Sequence, residues 1–84
     1  AQRQLEQKVI KQLKGEIHSA EKRLKRLQEK IADVESILQS PDTYDGDFQD
    51  DLHDLIRNQT ELRIEIEEVE QIWLNLNEQL EDNA

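Results

Sequence analysis

The chain has 84 residues, 37% charged and 35% hydrophobic, with one Trp, one Tyr, one Phe and a formal net charge of −9. So few bulky apolar side chains exclude a compact globule with a sizeable core, and dense charge with evenly spread Leu, Ile and Val fits long helices instead. Zero Cys excludes disulfides and thiolate metal sites and is compatible with a cytoplasmic protein, while two glycines cannot build a phosphate-cradling loop, so these residues bind no ATP themselves.

No apolar run approaches the length of a membrane span, and the opening residues do not read as a signal peptide. A chain this short with no initiating Met is expected to be a fragment of a larger protein.

The first predicted helix runs from about residue 3 to 39. Its apolar series is Ile10, Leu13, Ile17, Ala20, Leu24, Leu27, Ile31, Val34 and Leu38, with spacings that alternate three and four. Sustained a/d repetition of this kind signals a helix that packs along a seam. With Ile10 at position a, the outward b, c and f positions are Lys8, Lys11, Gln12, Gly15, His18, Ser19, Lys22, Lys25 and Arg26. No acid enters this stripe until Glu29.

A turn is predicted at 40–47. Pro41 cannot continue a helix interior, and the residue before it avoids helical dihedrals, so the first helix should stop near Ser40. Asp45 or Asp47 suits the N-cap of the next helix, with Asp50 and Asp51 near its positive end. The acidic turn resembles a calcium loop in composition alone. With Gly46 as the sixth residue, the first and third ligand positions would be Pro41 and Thr43, and the closing Glu would be Leu52.

The second predicted helix spans about 48–82. Its series is Phe48, Leu52, Leu55, Gln59, Leu62, Ile66, Val69, Trp73, Leu76 and Leu80, with Gln59 the one polar member. Trp73 at an a position reads as core. The outer face carries Asp50, Asp54, Glu61, Glu67, Glu68, Glu78 and Glu81, together with apolar Ile64 and Leu74.

A short connection between two such helices predicts an all-α fold, a two-helix antiparallel coiled-coil hairpin over residues 1–84. The two arms have opposite charge: nine Lys/Arg against four Glu in 1–31, and two Arg against sixteen Asp/Glu in 32–84. Placing Leu38 opposite Phe48 pairs Val34 with Leu52, Leu24 with Leu62, Ala20 with Ile66 and Leu13 with Trp73. That register brings Arg23 near Glu65, Glu21 near Arg63 and Lys14 near Glu70, all complementary. Part of the charge asymmetry is thereby explained by hairpin register alone.

Lys8, Lys11, Lys22, Lys25 and Arg26 are left without an expected partner in the chain. Five cations on one face suit the phosphates of a nucleic-acid backbone, against the plainer possibility of a solvated helix surface. The net charge of −9 would keep such binding weak and sensitive to salt. Ile64 and Leu74 suggest a protein contact instead, or ordinary exposed surface. His18 and His53, both at b positions far apart along the hairpin, form no dyad or shared metal site, and no catalytic constellation emerges.

Written out in full, the chain resembles the C-terminal coiled-coil domain of ABC-F ATPases of the Uup and YheS group, closer to the YheS type. The residues that carry the resemblance are Leu13-Lys-Gly-Glu-Ile17, Ala20-Glu-Lys-Arg-Leu-Lys-Arg-Leu27, the turn Leu38-Gln-Ser-Pro-Asp-Thr-Tyr-Asp45, Glu67-Glu-Val-Glu-Gln-Ile-Trp-Leu74 and Glu78-Gln-Leu-Glu81. The resemblance implies a cytoplasmic, ATP-hydrolysing parent that acts around the ribosome, with ATP and Mg held in cassette domains outside these residues. It also implies a terminal module that contacts DNA or ribosomal RNA, which is best carried onto the basic face of helix one. The acidic net charge departs from that pattern. The expected state is a monomer; the alternative is a structural hairpin that packs on the parent's cassettes or self-associates.

Overall fold

The computed structural model describes residues 2–40 and 49–83, with side chains described for 6–40 and 51–83. Two helices form, α1 over Gln2–Gln39 and α2 over Gln49–Asp82, and the described residues contain no strand. Pro41, the 41–47 part of the turn, the caps Asp45 and Asp47, and Phe48 lie outside the described residues.

Both described C-terminal ends are satisfied locally. The Ser40 N–H donates to the Ile37 carbonyl at 3.1 Å, a tight last turn just before Pro41. At the end of α2, the Asn83 N–H donates to the Gln79 and Leu80 carbonyls, both at 3.2 Å. The Asn83 side-chain Nδ2 adds a bond to the Gln79 carbonyl at 2.7 Å. Carbonyls that α2 would otherwise leave open thus find donors.

The helices pack lengthwise in a rod whose Cα extents are 67 × 14 × 14 Å. They run antiparallel: Gln59 of α2 bonds Glu35 of α1, while Trp73, further along α2, bonds Glu21, further back on α1. The buried seam is Leu13, Ile17, Ala20, Leu27 and Val34 from α1 with Leu62 and Val69 from α2. Each fully buried Leu or Val of this kind contributes about 1.5–3 kcal/mol, so the seam supplies the stability. No buried side-chain polar atom among the described residues lacks a partner.

The register differs from the expected one by roughly one heptad. Trp73 was expected opposite Leu13, but its indole N–H donates to Glu21 Oε1 at 3.3 Å. Gln59, which the expected register set against Leu27, donates through Nε2 to Glu35 Oε1 at 3.4 Å. A slip of seven residues returns every seam position to a seam position, so apolar burial cannot choose between the two alignments. Polar atoms can. In the observed register the one polar seam residue and the indole N–H both meet carboxylates, and bulky Trp73 packs against the core cluster beside Leu24.

Of the three expected charge pairs, one forms. Arg23 Nη2 lies 3.4 Å from Glu65 Oε1. Arg63 instead pairs with Glu35, at 3.5 Å, because Glu21 is now level with Trp73. Lys14 is exposed and makes no ion pair among the described residues, so its expected pairing with Glu70 does not occur. Both observed pairs are solvent-exposed and worth about 0–1 kcal/mol each.

Candidate nucleic-acid interface

An α-helix advances 100° per residue, so the heptad that commits α1's apolar row to the seam commits its outward rows just as firmly. Lys8 and Lys22 occupy f positions, Lys11 and Lys25 b positions, and Arg26 a c position. All five are exposed, and none is ion-paired among the described residues. Arg23, at a g position between two of them, is the contrast, since it reaches across the seam edge to Glu65.

The five fall into two groups, Lys8 with Lys11 and Lys22 with Lys25 and Arg26. The groups are separated by about 16 Å along the axis, from eleven residues at 1.5 Å each. Between them the outward surface is uncharged: Gln12, Gly15, His18 and Ser19. A Cβ built on Gly15 would meet nothing within 4 Å, so the surface there is open. A rigid helix thus presents two cationic groups with a flat, uncharged stretch between them. Lys14, freed by the register, adds a further cation near the first group.

Exposed cations of this kind can meet phosphates or carboxylates. Lys ammonium groups act as point charges on a backbone, and Arg26 can bind a phosphate with two parallel N–H bonds. Asp54, Glu61, Glu67, Glu68, Glu78 and Glu81 are all exposed on α2, so that helix repels phosphate. The side chain of Asp50 lies outside the described set. Any polyanion must therefore approach from the α1 side.

Trp73 is half-buried, with its ring against the core cluster and its N–H bonded to Glu21. It is a seam residue, as the heptad implied, and its ring is not free to stack on a base. His18 and His53 are exposed and sit far apart along the hairpin. Among the described residues, no group of three His, Cys, Asp or Glu could hold a metal ion. Among the same residues, no helix is long and apolar enough to cross a membrane.

The sequence pattern placed Lys8, Lys11, Lys22, Lys25 and Arg26 outward; it did not single out Arg57, exposed on α2, and it expected Lys14 to be paired. It missed Glu21 and Glu35 as acceptors for Trp73, Gln59 and Arg63, because a seven-residue slip moves those partners without altering the heptad. The signal that could have found them was the polar content of the seam: a lone Gln and an indole N–H each demand an acceptor. Compared with protein-family models, curated proteins and solved structures, the chain matches none.

Proposed function

We propose that this hairpin is a non-catalytic accessory arm that contacts a nucleic-acid backbone, DNA or ribosomal RNA, through Lys8, Lys11, Lys22, Lys25 and Arg26. The observation that carries the proposal is that these five cations are exposed and unpaired on one face of α1, although the chain as a whole is strongly acidic. The exposed acids described on the outer face of α2, Asp54, Glu61, Glu67, Glu68, Glu78 and Glu81, pair with none of them. Backbone contacts of this type position a protein without reading sequence. The ABC-F resemblance adds the parent: a cytoplasmic ribosome-associated ATPase whose cassettes bind ATP and Mg, with this arm placing it on its target.

The test is a titration with short RNA and DNA duplexes at low salt, followed by amide chemical shifts. Shifts should cluster on residues 8–26 of α1, and log affinity should fall with log salt at a slope of about −4 for four or five neutralised phosphates. Replacing Lys22, Lys25 and Arg26 together with Glu should abolish the shifts while helicity is kept. No binding at low salt, or shifts confined to α2, overturns the proposal.

A second function is favoured by the exposure of Ile64 at 52% and Leu74 at 45%. Apolar side chains so exposed on an acidic helix suit a protein contact, such as packing on the parent's cassettes. Replacing both with Glu separates the two proposals: the protein contact would be lost, and nucleic-acid binding would change little.

A further inference from the structure

The two helices leave the same side of their seam uncovered. On α1, Ile10, Leu24, Ile31 and Leu38 are only half-buried, with Ile17 the one covered member of that row. On α2, Leu52, Gln59, Ile66, Trp73 and Leu80 are half-buried as well. On the other side Leu13, Ala20, Leu27, Val34, Leu62 and Val69 are buried and Leu55 and Leu76 half-buried, with one groove lined by Ala20, Val69, Ile72 and Leu76. Two open grooves run along the uncovered side, one lined by Leu24, Glu70, Trp73 and Leu74, the other by Leu38, Leu52, Ile56 and Gln59. Ile56 and Leu74 stand at their rims, 46% and 45% exposed.

We infer that a second copy of this chain covers that side, giving a four-helix bundle whose two-fold axis runs along the hairpin. This goes beyond the nucleic-acid function and does not depend on it.

Charge selects both the occupant and the axis. A hairpin can dock edge to edge with its copy in two ways. If the axis is perpendicular to the rod, α1 meets α1 and α2 meets α2. Lys11, Lys14 and Lys25 then face the same cations, and Glu67, Glu70 and Glu81 face the same acids. If the axis runs along the rod, each α1 lies against the other copy's α2, and the opposite signs meet.

The intrachain register then fixes the contacts, because rotation about that axis moves no residue along it. The bonds Gln59–Glu35 and Trp73–Glu21 set the levels: fourteen residues forward on α2 match fourteen back on α1. Lys25 therefore comes within two residues of the level of Glu67 in the second copy, about 3 Å at 1.5 Å per residue. Lys11 stands in the same relation to Glu81. Glu70 is level with Leu24, beside Lys25 of the second copy. Glu21 and Glu35 enter the interface with their Trp73, Gln59 and Arg63 bonds already made, so they need no new partners. The half-exposed apolar row and the single Trp are covered in the same step. Lys8, Lys22 and Arg26 stay outward, so in the dimer these three remain open to a nucleic acid while Lys11 and Lys25 are drawn to the second copy.

Sedimentation equilibrium from low micromolar to near-millimolar chain should show the mass rise from 10.0 kDa toward twice that value. Trp73 emission should shift to the blue along the same curve. Leu74→Glu should hold the chain monomeric at every concentration with its helical circular dichroism unchanged. Because the chain has no Cys, single-site variants test the axis. Lys25→Cys mixed with Glu67→Cys should oxidise to a covalent heterodimer, and each variant alone should cross-link far less. A wild-type mass that stays at 10.0 kDa overturns the dimer. Preferential cross-linking of either variant with itself overturns the axis. Neither readout uses nucleic acid, so failure here leaves the basic-face proposal standing, and the reverse also holds.

Discussion

The two rows that make up the seam are equally apolar in sequence and unequally buried in the fold. The row containing Leu13, Ala20, Leu27 and Val34 is closed over by Leu62 and Val69. The neighbouring row, with Leu24, Ile31, Leu38, Ile66 and Trp73, packs against this core but keeps part of its surface in water. Two helices have one line of contact, and side chains that diverge from it to either side cannot both be fully covered. In this chain the less covered side also holds Gln59 and Trp73, whose polar atoms reach the edge carboxylates Glu35 and Glu21 across the seam. A perfect heptad repeat thus specifies that two helices meet, and leaves open how many helices finish the core.

The contrast between the rows is tested most directly at Leu27 and Leu24. Leu27→Ala should cost about 2–4 kcal/mol and Leu24→Ala about 1–2, measured by thermal unfolding of dilute chain. The first value is enough to unfold a marginally stable hairpin. Equal costs at dilution would show the two rows to be equally buried, contrary to the structure. If the gap closes only as concentration rises, the half-exposed row is being covered by a second copy.

A smaller effect of opposite sign is expected at Gly15. Its position is mid-helix and its missing Cβ would touch nothing within 4 Å. Gly15→Ala should therefore stabilise the chain by about 0.5–1 kcal/mol through helix propensity alone. Destabilisation would mean that this face of α1 is packed against something. The smallest effects belong to the ion pairs, one on each edge of the seam. Double-mutant cycles on Arg23 with Glu65 and on Arg63 with Glu35 should each give about 0–1 kcal/mol, falling further in salt. A larger coupling for the second pair alone would place it in a desolvated setting.

Much of the candidate site was legible in the heptad pattern. Once Ile10 is fixed as a seam residue, helical geometry alone sends Lys8, Lys11, Lys22, Lys25 and Arg26 outward, and the fold agrees for each. Arg23 was legible too, since it meets Glu65 in either register by virtue of its long side chain. Lys14, Glu21 and Arg63 were not, because their partners depend on axial alignment and a seven-residue slip reassigns all three.

Two long helices, a shared apolar seam and an antiparallel hairpin are written in the amino-acid order, because they follow from a periodicity that runs from Ile10 to Leu80 on both sides of the turn. The register and the unequal covering of the two rows emerge only when the helices pack. One cause lies behind this division. Apolar burial repeats every seven residues and is blind to a slip, whereas the Gln59 amide and the Trp73 indole each need one particular acceptor, and Glu35 and Glu21 provide those acceptors in one alignment.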